Sequence, residues 1–139
     1  MLVKQLSVFV ENRPGRLSAI INLLAEHHVN LSALSLADTS QFGVLRLIAD
    51  KPEEAIAALR EAGIISKSTD VLAVAIDDTP GSLTKILDLL NGQNISVEYM
   101  YAFSAKQENK ALMVFKVDAL EAAEELLREN GFSAPEGSI

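Results

Sequence analysis

The chain has 139 residues, 49% of them hydrophobic and 22% charged, with a net charge of −7 and no cysteine. That length suits one ordinary domain or two very small ones, and the absence of cysteine removes disulfides, thiolate catalysis, Cys-ligated zinc and iron–sulfur clusters together. The acidic balance argues against nucleic acid as a ligand, and no apolar run approaches the ~20 residues of a membrane-spanning helix.

The opening "LVKQLSVFV" alternates Leu6, Val8 and Val10 with Gln5, Ser7 and Phe9, which is the period of a strand. It lacks the charged n-region, long apolar core and small-residue cleavage site of a signal peptide, which predicts a cytoplasmic protein with no membrane association. At "ENRPGRLSAI" the period changes, and Leu17, Ile20, Ile21 and Leu24 recur at helical spacing. His27 and His28 are adjacent near the end of that helix, so they face different ways; interaction with the helix C-terminus is expected of them, not a metal pair. Two strands, "VNLSALSLA" and "GVLRLIA", flank "DTSQF". Val44 and Ile48 point opposite to Leu45 and Leu47, and apolar residues on both faces predict that sheets or domains pack on each other. A helix from Pro52 to Ala62 follows, with Gly63 where a C-terminal cap wants positive φ, and then a short strand.

The chain then repeats itself. A shift of 66 places Leu6 on Leu72, Val8 on Val74, Pro14 on Pro80, Gly15 on Gly81, Leu17 on Leu83, Ile20 on Ile86 and Leu24 on Leu90. After a two-residue insertion in the polar stretch "SAKQENK" the shift becomes 68, and Asp50 meets Asp118, Ala55 meets Ala123, Leu59 meets Leu127 and Gly63 meets Gly131. The second copy thus has a strand at Leu72 to Ile76, a helix after "DDTPGSLTKI", strands "ISVEYMYAF" and "ALMVFKV", and a helix from Leu120 to Asn130 before a short strand. Each copy reads βαββαβ, the ferredoxin-like split unit, so the expected fold is α+β: two tandem domains, 1–68 and 69–139, with antiparallel sheets and a boundary near Ser68 to Asp70. Copies of ~65 residues are small enough to need a neighbour, which predicts a homodimer.

The two Pro-Gly loops stand out. Pro14 and Pro80 suit the first helical position, and Asn12 and Asp78 or Thr79 lie at cap-like positions. Gly15 and Gly81 would then fall in the first turn, where Gly costs ~0.5 to 1 kcal/mol relative to Ala, so their recurrence suggests close approach of a carboxylate to the helix N-terminus. A turn with close helix–strand packing is the other account.

The stretch "VFVENRPGRLSAIINLLAEHHVNLSALSLADTS" resembles the ACT domains, small ferredoxin-like modules that bind amino acids and regulate metabolic enzymes. It is particularly similar to the serine-sensing ACT domain of phosphoglycerate dehydrogenases, where a His-x-Asn-Arg-Pro-Gly loop and an Asn early in the second strand hold the effector. The resemblance covers nearly the whole chain, twice over, and the whole resembles the stand-alone tandem ACT proteins of bacteria, which carry no catalytic domain. It implies a ligand site at Asn12, Arg13, Pro14, Gly15, Arg16, Leu17 and Asn30, and a possible second site at Asp78, Gly81, Ser82, Leu83 and Ser96. The family's His falls on Val10, while Asp78 and Ser96 replace the two Asn residues in the second copy, so binding is expected mainly in the first.

On this reading the N–H groups of Gly15, Arg16 and Leu17 take the carboxylate of a free amino acid, with Arg16 adding charge, and the amide oxygens of Asn12 and Asn30 accept from its ammonium. Leu34, Leu36 or the Met100 and Tyr101 pair would wall its side chain, across a domain or subunit interface. Other constellations carry less. Asp77 and Asp78 point apart at a strand end and read as solvated loop acids; Ser32, Ser35, Ser40 and Ser82 lack a nucleophile elbow; Tyr99 and Tyr101 read as sheet packing. The expectation is a non-catalytic effector sensor in amino-acid metabolism, with no cofactor or metal and with a metabolic enzyme as its candidate target. The alternative is a protein–protein assembly module of the same fold without a ligand.

Overall fold

The computed structural model describes residues 1–38 and 41–137, so Ser40 and the centre of "DTSQF" lie outside the described residues. In chain order the elements are β1 (Leu2–Glu11), α1 (Arg16–Glu26), β2 (Leu31–Asp38), β3 (Phe42–Ala49), α2 (Pro52–Glu61), β4 (Ser66–Asp77), α3 (Ser82–Gly92), β5 (Val97–Ala102), β6 (Lys110–Val117) and α4 (Leu120–Glu129). The fold is α+β, with antiparallel strand pairs as expected.

Two compact units emerge: an N-terminal one of Lys4–Thr69, and a C-terminal one that begins at Asp70 and also takes Met1–Val3. The short last strand expected of the first copy is not separate. It runs on into the first strand of the second copy as the 12-residue β4, so the boundary expected near Ser68 to Asp70 falls within continuous strand. The last strand of the second copy shrinks to a bridge between Ala75 and Ser133, two residues before Pro135, which has no N–H to continue a ladder.

In the N-terminal unit β3 lies between β1 and β2, and the alternation of β1 delivers Leu6, Val8 and Val10 to the face that the helices cover. There they join Leu45 and Leu47 from β3, Ile20 and Leu24 from α1, and Ala55 and Leu59 from α2. The C-terminal unit repeats this with β6 between β4 and β5: Leu72, Val74 and Ile76 meet Phe115, Val117, Ile86, Leu90, Ala123 and Leu127. Ile48, on the face away from the helices, is buried as well, as are Val71 and Ala73.

The four helices among the described residues leave by the same route. After α1, His28 adopts φ 56°, its N–H donates to the Ala25 carbonyl, and the Val29 N–H reaches the Leu24 carbonyl at 3.0 Å. Asn94 does the same after α3, while Gly63 and Gly131, as expected from their spacing, do it after α2 and α4. This is the Schellman arrangement, in which a left-handed residue turns the chain back so that the last carbonyls are satisfied. His27 adds an Nδ1 contact of 3.0 Å to the Leu23 carbonyl, the C-terminal role expected of it.

Candidate functional site

The loop between β1 and α1 is built differently from the sequence expectation. Pro14 is not the first helical residue: α1 begins at Arg16, with Gly15 as its cap at φ 85° and ψ −12°. The Arg16 N–H donates to the Arg13 carbonyl at 3.3 Å, so Arg13-Pro14-Gly15-Arg16 forms a type II turn, with Pro at its second place and Gly at the third, where positive φ is required. Thr79-Pro80-Gly81-Ser82 repeats it, with Gly81 at φ 88° and the Ser82 N–H on the Thr79 carbonyl at 3.3 Å. The glycines are therefore demanded by backbone conformation, and the cost argued for a Gly inside the first helical turn does not arise. The turn also occupies the Arg16 N–H, one of the three donors assigned to a carboxylate.

Charge is concentrated at this turn. Arg13 donates from Nε to Glu11 Oε2 at 2.9 Å and from Nη2 to the same oxygen, and Arg16 Nε lies 3.9 Å from it. The Arg13 hydrogen bond and charge hold the Glu11 carboxyl below its ordinary value of 4.5, with Arg16 adding to the effect against a small desolvation cost. The backbone N–H of Asn12 donates to the Gln41 carbonyl at 3.3 Å, which ties the turn to the start of β3 and leaves the Asn12 side chain exposed.

A cavity of about 290 Å³ opens beside this turn, lined by Val10, Glu11, Asn12, Arg13, Leu17, Leu36 and Gly43. Its interior wall is apolar. Val10 is buried at the end of β1, Leu17 packs on the core from the first turn of α1, and Leu36 stands 52% exposed on the same side of the sheet. Gly43, paired with Val10 across β1 and β3, forms the floor: a Cβ there would come within 3.1 Å of Leu36 Cδ1. Sequence reading missed Gly43, although a glycine inside a strand is a known mark of close approach. Pro14, Gly15, Arg13 and Arg16 form a shallower dish of about 340 Å³ around the turn itself. On the other side of Glu11 a third hollow, of about 330 Å³, is lined by Arg16 and by Phe9, Phe42 and Ile65, which are 47%, 48% and 71% exposed.

Asn30 is not at this cavity. It precedes β2, whose Leu31 pairs with Ala49, whereas Asn12 follows Glu11, which pairs with Phe42 at the other end of β3. At ~3.3 Å per strand residue the two ends are about 23 Å apart. Within one unit Asn12 and Asn30 therefore cannot hold one amino acid. The Asn30 N–H instead donates to Asp50 Oδ1 at 2.9 Å.

The second turn offers other chemistry. Asp78 and Thr79 stand where the first copy has Asn12 and Arg13, and Thr79 Oγ1 lies 2.8 Å from the oxygen of Ser82, which is nearly buried. Leu83 packs on the core, Ser96 donates its N–H to Asp118 Oδ1 at 3.0 Å, and Lys110 pairs with Asp77 at 2.6 Å. That pairing, by hydrogen bond and then charge, lowers the Asp77 carboxyl from its ordinary 3.8. Of the proposed wall residues, Leu36 lines the first cavity, while Met100 faces Phe115 and packs in the C-terminal core. Among the described residues no group of three or more His, Cys, Asp or Glu could hold a metal ion, and no helix is long and apolar enough to cross a membrane.

Comparison with known proteins places this geometry in a family. Residues 1–135 match the model of an ACT domain pair. Protein BT0572 from Bacteroides thetaiotaomicron is 35% identical in sequence, with a TM-score of 0.90 over 96% of this chain and 91% of that one. The regulatory subunits of aspartate kinase from Thermus thermophilus and Thermus flavus, 16% and 18% identical, share the fold with TM-scores of 0.65 and 0.62; the alignments cover 92% of this chain and 92% of that one in the first case, and 93% and 94% in the second. No curated protein sequence matches the chain. With its whole βαββαβ tandem accounted for by that model, the chain belongs to the family of paired ACT domains.

Proposed function

We propose that this chain is a non-catalytic sensor that binds a free amino acid at the turn between β1 and α1 and reports its level to an enzyme of amino-acid metabolism. One observation carries the reading: the turn that presents Asn12 and Arg13 opens onto an apolar-walled cavity of about 290 Å³, just under the ~300 to 1,000 Å³ usual for ligand pockets and enough for one small molecule. Arg13 keeps donors beyond the two turned on Glu11, and the amide oxygen of Asn12 can accept from an ammonium group. Family membership supports amino-acid sensing, and the fold shared with aspartate kinase regulatory subunits supports action on an enzyme.

Residues 1–68 and 69–139 are, on this reading, one ACT domain each, and the chain acts as a homodimer. A second copy is also what would bring an Asn30 to an Asn12, since the distance forbids it within one unit. Calorimetric titration against the twenty amino acids tests the proposal, with binding near one ligand per chain as the expected result. The other reading, an assembly module without a ligand, draws on the exposed Phe9, Phe42 and Ile65. Absence of any binding at millimolar amino acid would favour it.

A further inference from the structure

Resting on that reading of the turn, we infer that the effector carries an aliphatic side chain, of the size of valine, leucine, isoleucine or methionine. Beyond the polar rim of Asn12 and Arg13 the cavity presents Val10, Leu17, Leu36 and the bare backbone of Gly43. The charged groups at its mouth already answer each other: Glu11 takes two donors of Arg13 on one oxygen. A hydroxyl, amide or charged side chain placed against Leu17 and Leu36 would give up water without a partner, whereas methyl and methylene groups would gain from contact. Gly43 decides the depth. Any side chain there would crowd Leu36, whose Cδ1 lies 3.1 Å from the site of the absent Cβ, and would close the floor.

The second copy supplies an internal contrast. Where the first has Leu36 and Gly43 the second has Ala102 and Ala111, in the equivalent strand register, and where the first has Asn12 and Arg13 it has Asp78 and Thr79. Leu83 and Ile76 keep the inner wall apolar, but the outer wall at Leu36, the floor and the polar rim change together, as they would if they served one ligand in the first copy and none in the second.

Calorimetry of the full chain with leucine, isoleucine, valine and methionine, set against serine, aspartate and lysine, tests the inference. At least one aliphatic amino acid should bind ten-fold or more tightly than each polar one. Leu36→Ala, at an exposed position that the fold tolerates, should weaken the aliphatic ligand five-fold or more, and Gly43→Ala should weaken leucine more than valine. Serine, aspartate or lysine binding as tightly as the aliphatic set would overturn this inference and leave the sensor reading standing. If none of the twenty binds at millimolar concentration, both fall.

Discussion

Asp50 and Asn30 close a two-way clasp: the Asn30 N–H donates to Asp50 Oδ1 at 2.9 Å, and the Asp50 N–H returns to the Asn30 carbonyl at 3.0 Å. Asp118 and Ser96 repeat it at 3.0 and 3.2 Å. The carboxylate reads backbone in both cases, which is why Asn and Ser serve equally. Asp50→Ala should cost about 1 to 2 kcal/mol of stability, the ~1.5 to 3 of a hydrogen bond to a charged group reduced by exposure to solvent, while Asn30→Ser should cost less than about 0.5. Chemical denaturation of both variants checks this; equal losses would mean that the Asn30 side chain matters to the fold.

Ligand affinity should separate Asn12 from its counterpart. Asn12→Ala should weaken amino-acid binding by about 1 to 3 kcal/mol with the ligand-free midpoint unchanged, and Asp78→Ala should leave binding as it was. Asn30→Ala is informative in a different way. If it weakens binding, a second copy must supply that residue, and light scattering should then give a mass near twice 15.0 kDa.

At the turn, Gly15→Ala should destabilise the protein by about 1 to 2 kcal/mol, because φ of 85° is costly for any residue with a Cβ. Nothing lies within 4 Å of the added methyl, so the loss is one of backbone conformation and not of packing. Gly81→Ala should match it. An unchanged denaturation midpoint for either would contradict the type II geometry.

The opposite substitution should help at the helix exits. His28 and Asn94 hold φ of 56° and 57° where α2 and α4 use glycine. His28→Gly should raise stability by about 0.5 to 1 kcal/mol, and Asn94→Gly by less, since Asn tolerates that region better. Thermal melts of the two variants provide the comparison.

Acid should loosen the exposed pairs. The Lys110 partnership lowers the Asp77 carboxyl below 3.8, so the stability it contributes is present above that value and is lost as pH falls through the depressed one. Asp77→Asn should flatten this part of the acid limb by giving up the pair's small contribution on the neutral side, the two proteins converging in acid, and added salt should do likewise, because the pair lies in solvent. A steeper acid limb in the variant would reverse the sign of the argument.

Much of the architecture was written in periodicity. Leu6, Val8 and Val10 against Leu72, Val74 and Ile76 announced the duplicated strand, and Gly63 and Gly131 announced two helix exits. The start of α1 was harder: a proline before a glycine fits both a first helical position and a type II turn, and Pro52, which does open α2, shows that the first choice is no anomaly. That Asn30 lies at the far end of the strand from Asn12 was not legible, because a motif ordered along the chain says nothing of which end of a strand its members reach. Gly43 and Glu11 became visible as cavity residues only when β3 was laid beside β1.

The clasps and the helix exits recur in both halves, whereas the rim, the floor and the Leu36 wall of the cavity do not. If the proposed site is right, the repeated chain carries two chassis and one instrument. Residues that hold the chassis together, such as Asp118 and Gly131, are distinct from those in which the two copies differ, so recognition can be rewritten there without unsettling what folds it. On the proposed reading the second half is ground on which a new specificity could be installed, with the first half as its pattern: Ile76→Val, Asp77→Glu, Asp78→Asn, Thr79→Arg, Ala102→Leu and Ala111→Gly would carry the whole lining across.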